Sequence, residues 1–415
     1  VEKDIKILVV DDTVTYRQIL SRIVSGFENV EVIGVAPNGK IALSKIELNP
    51  PDVVLLDVFM PVMDGLETLE RIRRQYPNID VIMLSGVDQE NANLTMKALG
   101  AGALDFIPKP KGDSPEENAA ELRAALSRLI LMARTRKYSR QARKIYSGTL
   151  PNKIMLPTLP SPPPDAVQTA SPETAPALPK YNFDAPPAKG GQQAAHPAKN
   201  DTKDVLKKNG FEEKRFIRRA AKIDAVVIGV STGGPGALQE IIPKLDADFP
   251  VPILAVQHMP PMFTASLADR LRNLSKISVI EAKEGNVIEK GVMYIAPGGR
   301  HTVVKRDRFS NKIIGLIDSP PVNSCRPSVD VLFLSAAMVY KGNVLAVILT
   351  GMGNDGLSGT AALRREGAFV MVQDEKSSVI WGMPGSVVEA QLADEIVPLD
   401  RIAARITQIV RGGQA

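Results

Sequence analysis

The chain has 415 residues, enough for two or three domains, with 44% hydrophobic and 23% charged residues, the balance of a globular protein. No apolar run approaches the length that spans a bilayer, and Val1-Glu2-Lys3-Asp4 lacks the apolar core of a signal peptide, so membrane insertion is not expected. The lone Cys325 excludes an internal disulfide framework and fits a reducing cytoplasm, and one cysteine with three histidines is too few for a zinc cage. The formal charge of +5 owes most to the stretch from Arg123 to Pro164, which holds nine Lys or Arg and no acid. That distribution reads as a solvated connector, not as a nucleic-acid-binding face.

Residues 1–110 alternate short apolar runs with amphipathic stretches. Strands are expected at Ile5–Val10, Val30–Val35, Val53–Leu56, Val81–Leu84 and Leu104–Ile107. Helices are expected near Val14–Val24, Gly39–Leu48, Gly65–Gln75 and Asn91–Leu99, with a closing helix from Glu116 to Arg136. Such alternation implies a parallel sheet whose strand ends share one ligand-binding edge.

Polar residues gather at those ends: Asp11 and Asp12 after the first strand, Asp57 after the third, Ser85 on the fourth and Lys109 after the fifth. Three clustered carboxylates resist joint ionisation, and a divalent cation relieves that repulsion. Asp57 is then a nucleophile towards a phosphoryl group, with Ser85 as donor and Lys109 as counter-charge. With Met60-Pro61, Asp64-Gly65 and Lys109-Pro110, these residues resemble the receiver domain of response regulators. The resemblance implies a flavodoxin-like fold, Mg²⁺ at Asp11, Asp12 and Asp57, phosphorylation of Asp57 by a histidine kinase, and Phe106 as the aromatic switch residue. No histidine lies in residues 1–195, so the phosphodonor histidine belongs to another protein.

Residues 151–200 contain twelve prolines among Ala, Ser, Thr, Gln and Gly, and so bury too little apolar surface to offset their ordering entropy. Roughly 140–220 is read as an extended, disordered Pro-rich linker, partly helical towards Lys199–Lys222.

From Asp224 the alternation resumes, with strands expected at Ala225–Val230, Pro252–Gln257, Val292–Ala296, Val344–Thr350 and Phe369–Val372. The first runs into Ser231-Thr232-Gly233-Gly234-Pro235-Gly236 and a helix from Ala237. Three readings stand: a dinucleotide loop, a turn without chemistry, and a nucleophile elbow, since Gly229-Val230-Ser231-Thr232-Gly233 fits G-x-S-x-G. A serine nucleophile needs a base; His258 ends a strand, whereas His301 sits in a turn where it would line the site. Asp355, in Thr350-Gly351-Met352-Gly353-Asn354-Asp355-Gly356, is the acid that would orient the base, and the free backbone N–H groups of that loop suit an oxyanion. The order Ser…His…Asp differs from that of α/β-hydrolases. Cys325 is the remaining candidate nucleophile.

These motifs, with Gln257-His258-Met259, Arg326-Pro327-Ser328-Val329-Asp330 and Gly382-Met383-Pro384, resemble the CheB family of chemotaxis response regulator protein-glutamate methylesterases. The resemblance implies a receiver at 1–138, a linker at 139–222 and a doubly wound parallel-sheet catalytic domain at 223–415. It assigns Ser231 as nucleophile, His258 as base, Asp355 as its orienter and Met352 N–H as oxyanion donor, with Thr232 in support. It further implies hydrolysis of glutamate methyl esters on methyl-accepting chemoreceptors, released by phosphorylation, without a cofactor for the ester step; some members also deamidate receptor glutamines. The alternatives are a non-catalytic phosphoswitch serving as a binding module, and a DNA-binding regulator, for which no helix-turn-helix pattern follows the linker.

Overall fold

The structure, a computed structural model, describes residues 4–112, 114–146 and 222–412. The expected Pro-rich linker lies, but for its first few residues, outside the described residues.

The N-terminal part is built from β1 (Ile5–Val10), α1 (Val14–Ser25), β2 (Val30–Ala36), α2 (Gly39–Leu48), β3 (Val53–Asp57), α3 (Gly65–Gln75), β4 (Asp80–Ser85), α4 (Gln89–Gly100), β5 (Asp105–Pro108) and α5 (Pro115–Tyr146). All five strands are parallel, in the order β2-β1-β3-β4-β5. Every residue of β3 and β4 is buried, as expected for strands covered on both faces. Asp64 caps α3 by accepting from Glu67 N–H at 2.8 Å. Gly65 follows because a Cβ there would lie 2.1 Å from the Asp57 carbonyl oxygen, so the Asp-Gly pair both starts a helix and lets the chain pass close to Asp57.

Helix α5 runs ten residues past the expected end at Arg136, and the domain boundary expected at 138 falls inside it. Ion pairs fasten the helix to the sheet as far as Arg140. Arg134 pairs with Asp4, Lys137 with Asp52, and Arg136 and Arg140 with Asp80. Part of the basic stretch read as a solvated connector therefore belongs to a folded face.

The C-terminal part holds β6 (Ala225–Val230), α6 (Gly234–Ile241), β7 (Ile253–Gln257), α7 (Phe263–Leu274), β8 (Ser278–Glu281), β9 (Val292–Ile295), β10 (His301–Arg306), β11 (Lys312–Ile317), α8 (Val329–Tyr340), β12 (Val344–Ile348), α9 (Leu357–Glu366), β13 (Phe369–Gln373), α10 (Met383–Glu389), β14 (Glu395–Val397) and α11 (Leu399–Val410). Seven strands form a parallel sheet in the order β14-β13-β12-β6-β7-β9-β8, while β10 and β11 make a separate antiparallel ribbon. Strand β6 sits between β7 and β12, where the order reverses direction, and loops at the carboxyl ends there converge on a crevice.

Candidate active site

Ser231 and His258 are the first residues beyond the paired Val230 and Gln257 of adjacent parallel strands, so strand register alone brings them to one edge. His258 N–H donates to Val230 O at 3.2 Å. Buried Gln257 ties the two ends together, its amide nitrogen 2.9 Å from Ser231 O and 3.3 Å from His258 O. Past Ser231 the backbone must turn sharply, and Gly233 does so at φ 77°, a left-handed conformation that favours glycine. The loop after β12 closes on Ser231 from the other side. A Cβ added at Gly351 would meet Ser231 Cβ at 2.8 Å.

Asp355 is the most heavily hydrogen-bonded group of the site. Oδ2 lies 2.7 Å from His258 Nε2 and accepts from Val329 N–H at 2.6 Å. Oδ1 accepts from the Ser328 hydroxyl at 2.7 Å, Asn323 Nδ2 at 2.9 Å and Asp330 N–H at 3.3 Å. Burial works against the Asp355 charge, but His258 and then the hydroxyl and amide donors outweigh it and hold its pKa below the usual carboxylate value. Burial likewise disfavours the His258 imidazolium. The bond to Asp355 and then the neighbouring Cys325 outweigh that too, raising His258 to about 9. With Nε2 on Asp355, the ring's other nitrogen is the basic one. Nδ1 lies 3.6 Å from Cys325 Sγ, and no hydrogen bond joins it to the Ser231 hydroxyl among the described residues.

The expectation for His301 is corrected. It opens β10 instead of lying in a turn, and it is fully buried. Its Nδ1 accepts from Ser328 N–H at 3.1 Å and its Nε2 donates to Pro320 O at 3.1 Å. It therefore holds the residue that holds Asp355. Met352 N–H, one residue after the Gly351 that packs on Ser231, makes no hydrogen bond among the described residues.

At the receiver edge, ligand oxygens of Asp11, Asp12 and Asp57 lie within 4.8 Å of one another, a set of hard donors that fits Mg²⁺. Lys109 Nζ is 2.8 Å from both Asp11 Oδ2 and Asp57 Oδ2. Burial raises the Asp57 pKa to about 6, with Lys109 opposing and Asp11 adding to the rise. Ser85 Oγ donates to Gly86 O at 3.2 Å and accepts from Thr95 Oγ1 at 2.7 Å.

Comparison with known proteins places both halves. A response regulator receiver domain model matches residues 7–120 and a CheB methylesterase model matches residues 226–406. The chain is 42% identical over 403 residues to a protein-glutamate methylesterase/protein-glutamine glutaminase of Trichodesmium erythraeum, with 97% of each chain covered. The chain belongs to the CheB methylesterase family. A relative of the same description from Desulfotalea psychrophila is 38% identical over 411 residues, with 99% of each chain covered. The crystal structure of the Thermotoga maritima CheB methylesterase catalytic domain is 43% identical, covering 45% of this chain and 99% of that one, with a TM-score of 0.44.

In this CheB family member the receiver rests on the elements that carry Ser231. Helix α4 packs against α6 and α7. Phe106 stacks on Phe263 with ring centroids 4.4 Å apart, and Gln89 Nε2 donates to Ser266 Oγ at 2.9 Å. The Asp105 carboxylate faces the hydroxyl of Thr232, the residue after Ser231, which favours its charged form. Sequence reasoning assigned no role to Asp105, Asn323, Ser328 or Gln257. The Arg-Pro-Ser-Val-Asp motif signalled Ser328, but nothing local signals a partner 27 residues away. Among the described residues, no helix is long and apolar enough to cross a membrane.

Proposed function

We propose that this chain hydrolyses γ-methyl esters of glutamate on cytoplasmic chemoreceptor helices, releasing methanol, and that phosphorylation of Asp57 by a histidine kinase releases the activity. The name shared by its full-length relatives supports the reaction, and the observation that carries the site is Asp355 clasping His258 at the edge where Ser231 emerges. Ser231 attacks the ester carbonyl while His258 Nδ1 takes its proton, and Met352 N–H receives the developing oxyanion, with Thr232 in support. His258 then returns the proton to departing methanol, and water hydrolyses the acyl-enzyme. For Nδ1 to reach Ser231 the ring must leave Cys325; catalytic hydrogen bonds often form only once substrate is bound. Protein-glutamine deamidation, the second activity in the relatives' names, runs through the same acyl-enzyme with ammonia as leaving group.

Asp11, Asp12 and Asp57 would hold Mg²⁺, which when bound neutralises charge on the incoming phosphoryl group. The carboxylate of Asp57 is the nucleophile, and Lys109 supplies the countering cation. Ser85 donates to the phosphoryl group once it turns away from Gly86 O. Phosphorylation shifts the balance away from the docked arrangement, in which Phe106 and Asp105 bear on Phe263 and Thr232. The receiver at 1–138, with α5 continuing beyond it, the connector at 139–222 and the catalytic domain at 223–415 are the parts of this switch.

The test is methanol release from methylated receptor membranes with and without a small phosphodonor. Stimulation in the unaltered chain, its loss in Asp57→Asn and loss of all turnover in Ser231→Ala are expected. Turnover surviving in a folded Ser231→Ala protein overturns the assignment and moves the nucleophile to Cys325.

A further inference from the structure

Between the receiver and the catalytic domain lies a cavity of about 190 Å³, behind the Ser231 turn, with Gly233 and Thr350 in its lining. Arg73 of α3, Asp80 of β4 and Arg136 of α5 line it from the receiver; Gly236, Gln373 and Ser377 line it from the catalytic side. Its charge is unbalanced. Asp80, the single lining carboxylate, takes Arg140 Nη2 at 2.8 Å and lies 3.4 Å from Arg136 Nε. Two lining guanidinium groups thus share one acid that Arg140 already engages, and Arg73 is itself bonded to the carbonyls of Pro77 and Ile79. The catalytic face adds the neutral groups Gln373, Ser377 and Thr350.

The Nε–H of Arg73 is buried and lacks a hydrogen-bond partner, and that of Arg136 has only Asp80 Oδ1 at 3.4 Å, an oxygen already taken by Arg140. A buried donor without a full partner is costly, more so when charged, so the cavity calls for a further acceptor. Burial also works against both guanidinium charges, which an anion would restore. Size narrows the class. The volume of about 190 Å³ accommodates roughly six waters at ~30 Å³ each and falls short of the ~300 Å³ where pockets for drug-sized ligands begin.

We propose that this cavity binds a small oxyanion of the phosphate class, held by Arg73 and Arg136 against the start of α6. Guanidinium forks suit tetrahedral oxyanions, and the first residues of a helix favour negative charge. Because the walls come from both domains, the anion binds the docked arrangement and stabilises it by mass action. It acts as a brake on the catalytic domain, independent of Asp57.

The primary readout is thermal unfolding of the full chain, which does not depend on the esterase assignment. Inorganic phosphate is titrated in EDTA, where the receiver carboxylates repel it, against sodium chloride at equal ionic strength and against sulfate as a second tetrahedral dianion. Phosphate and sulfate should raise the midpoint saturably by a few degrees, beyond chloride, and the rise should vanish in R73Q/R136Q. Because Arg73 also braces the Pro77–Ile79 turn, a second variant guards against misfolding. A Cβ at Gly236 would meet only Leu99 O at 3.8 Å, so Gly236→Asp fits and places a carboxylate in the first turn of α6. It should keep or raise the midpoint and abolish the response to phosphate. An equal response to phosphate and chloride, or an undiminished phosphate response in Gly236→Asp, overturns the proposal. Loss of basal methanol release with added phosphate, parallel to the midpoint shift, is the expected functional consequence.

Discussion

His258 Nδ1 lies 3.6 Å from the Cys325 thiol, while Nε2 of the same ring is bound to Asp355 at 2.7 Å. The basic nitrogen of the site is thus in contact with a soft sulfur, and the ring's pKa stands at about 9. A raised pKa keeps the base protonated at neutral pH, so the form able to accept the serine proton grows tenfold per pH unit up to about 9. The kcat/KM for methanol release should rise along that limb. Cys325→Ala removes one of the influences that raise the pKa, so its limb should move to lower pH and its rate at pH 7.5 should increase a few-fold. Superimposable profiles for the two proteins would show that the thiol does not tune the base.

Ser328 tests whether the support of Asp355 matters to turnover. Its hydroxyl is 2.7 Å from Asp355 Oδ1 and fully buried. Ser328→Ala removes a charge-assisted hydrogen bond of roughly 1.5–3 kcal/mol, although four other donors remain on the carboxylate. We expect kcat to fall about tenfold with KM little changed, since the loss bears on the imidazolium formed during reaction. A change confined to KM, measured on the same methylated membranes, would place Ser328 in substrate binding instead.

Lys109 bridges Asp11 and Asp57 at 2.8 Å each. Lys109→Met leaves two buried carboxylates facing one another, and breaking such a pair costs about 3 kcal/mol at the lower end of its range. The thermal midpoint in EDTA should drop by several degrees, and millimolar Mg²⁺ should restore much of it by replacing the missing cation. If Mg²⁺ stabilises the unaltered chain and the variant equally, the three carboxylates do not form its site.

Strand positions were legible wherever apolar runs were long. The ends of β1, β6 and β12 follow from composition, and with them the placement of Asp11, Ser231 and the loop that carries Asp355. Short edge strands were not. β8 and β14 have four and three residues, with too little apolar periodicity to stand out. His301 read as a turn residue because Pro297-Gly298-Gly299 precedes it, whereas its burial comes from its pairing with Ile317 and its bonds to Ser328 and Pro320. The paired basic residues of α5 are illegible in the sequence for a related reason, since their partners Asp4, Asp52 and Asp80 lie up to 130 residues away.

Phe106 reports on the docked arrangement directly. Its ring rests on Phe263, and truncating a half-buried aromatic forfeits about half of the ~3–5 kcal/mol that a core Phe→Ala change costs. Phe106→Ala should therefore raise phosphodonor-independent methanol release about tenfold, leaving the phosphorylated rate nearly unaltered. A lower basal rate would mean that the ring supports the catalytic domain instead of restraining it.

Asp105 makes the same restraint sensitive to pH. Burial raises its pKa to about 6, against donors from Phe106 N–H and the Thr232 hydroxyl that favour the charged form. An acid whose pKa is higher in the docked arrangement takes up a proton on docking. Docking is then favoured below about pH 6 and weakened as pH rises through that value, by at most tenfold per unit. The stimulation produced by a phosphodonor, compared at each pH so that the titration of His258 cancels, should be larger at pH 5.5 than at pH 7.5. Asp105→Asn mimics the protonated carboxyl and should hold stimulation high and flat across that range. A stimulation ratio that follows the same curve in both proteins would assign the pH response to another group.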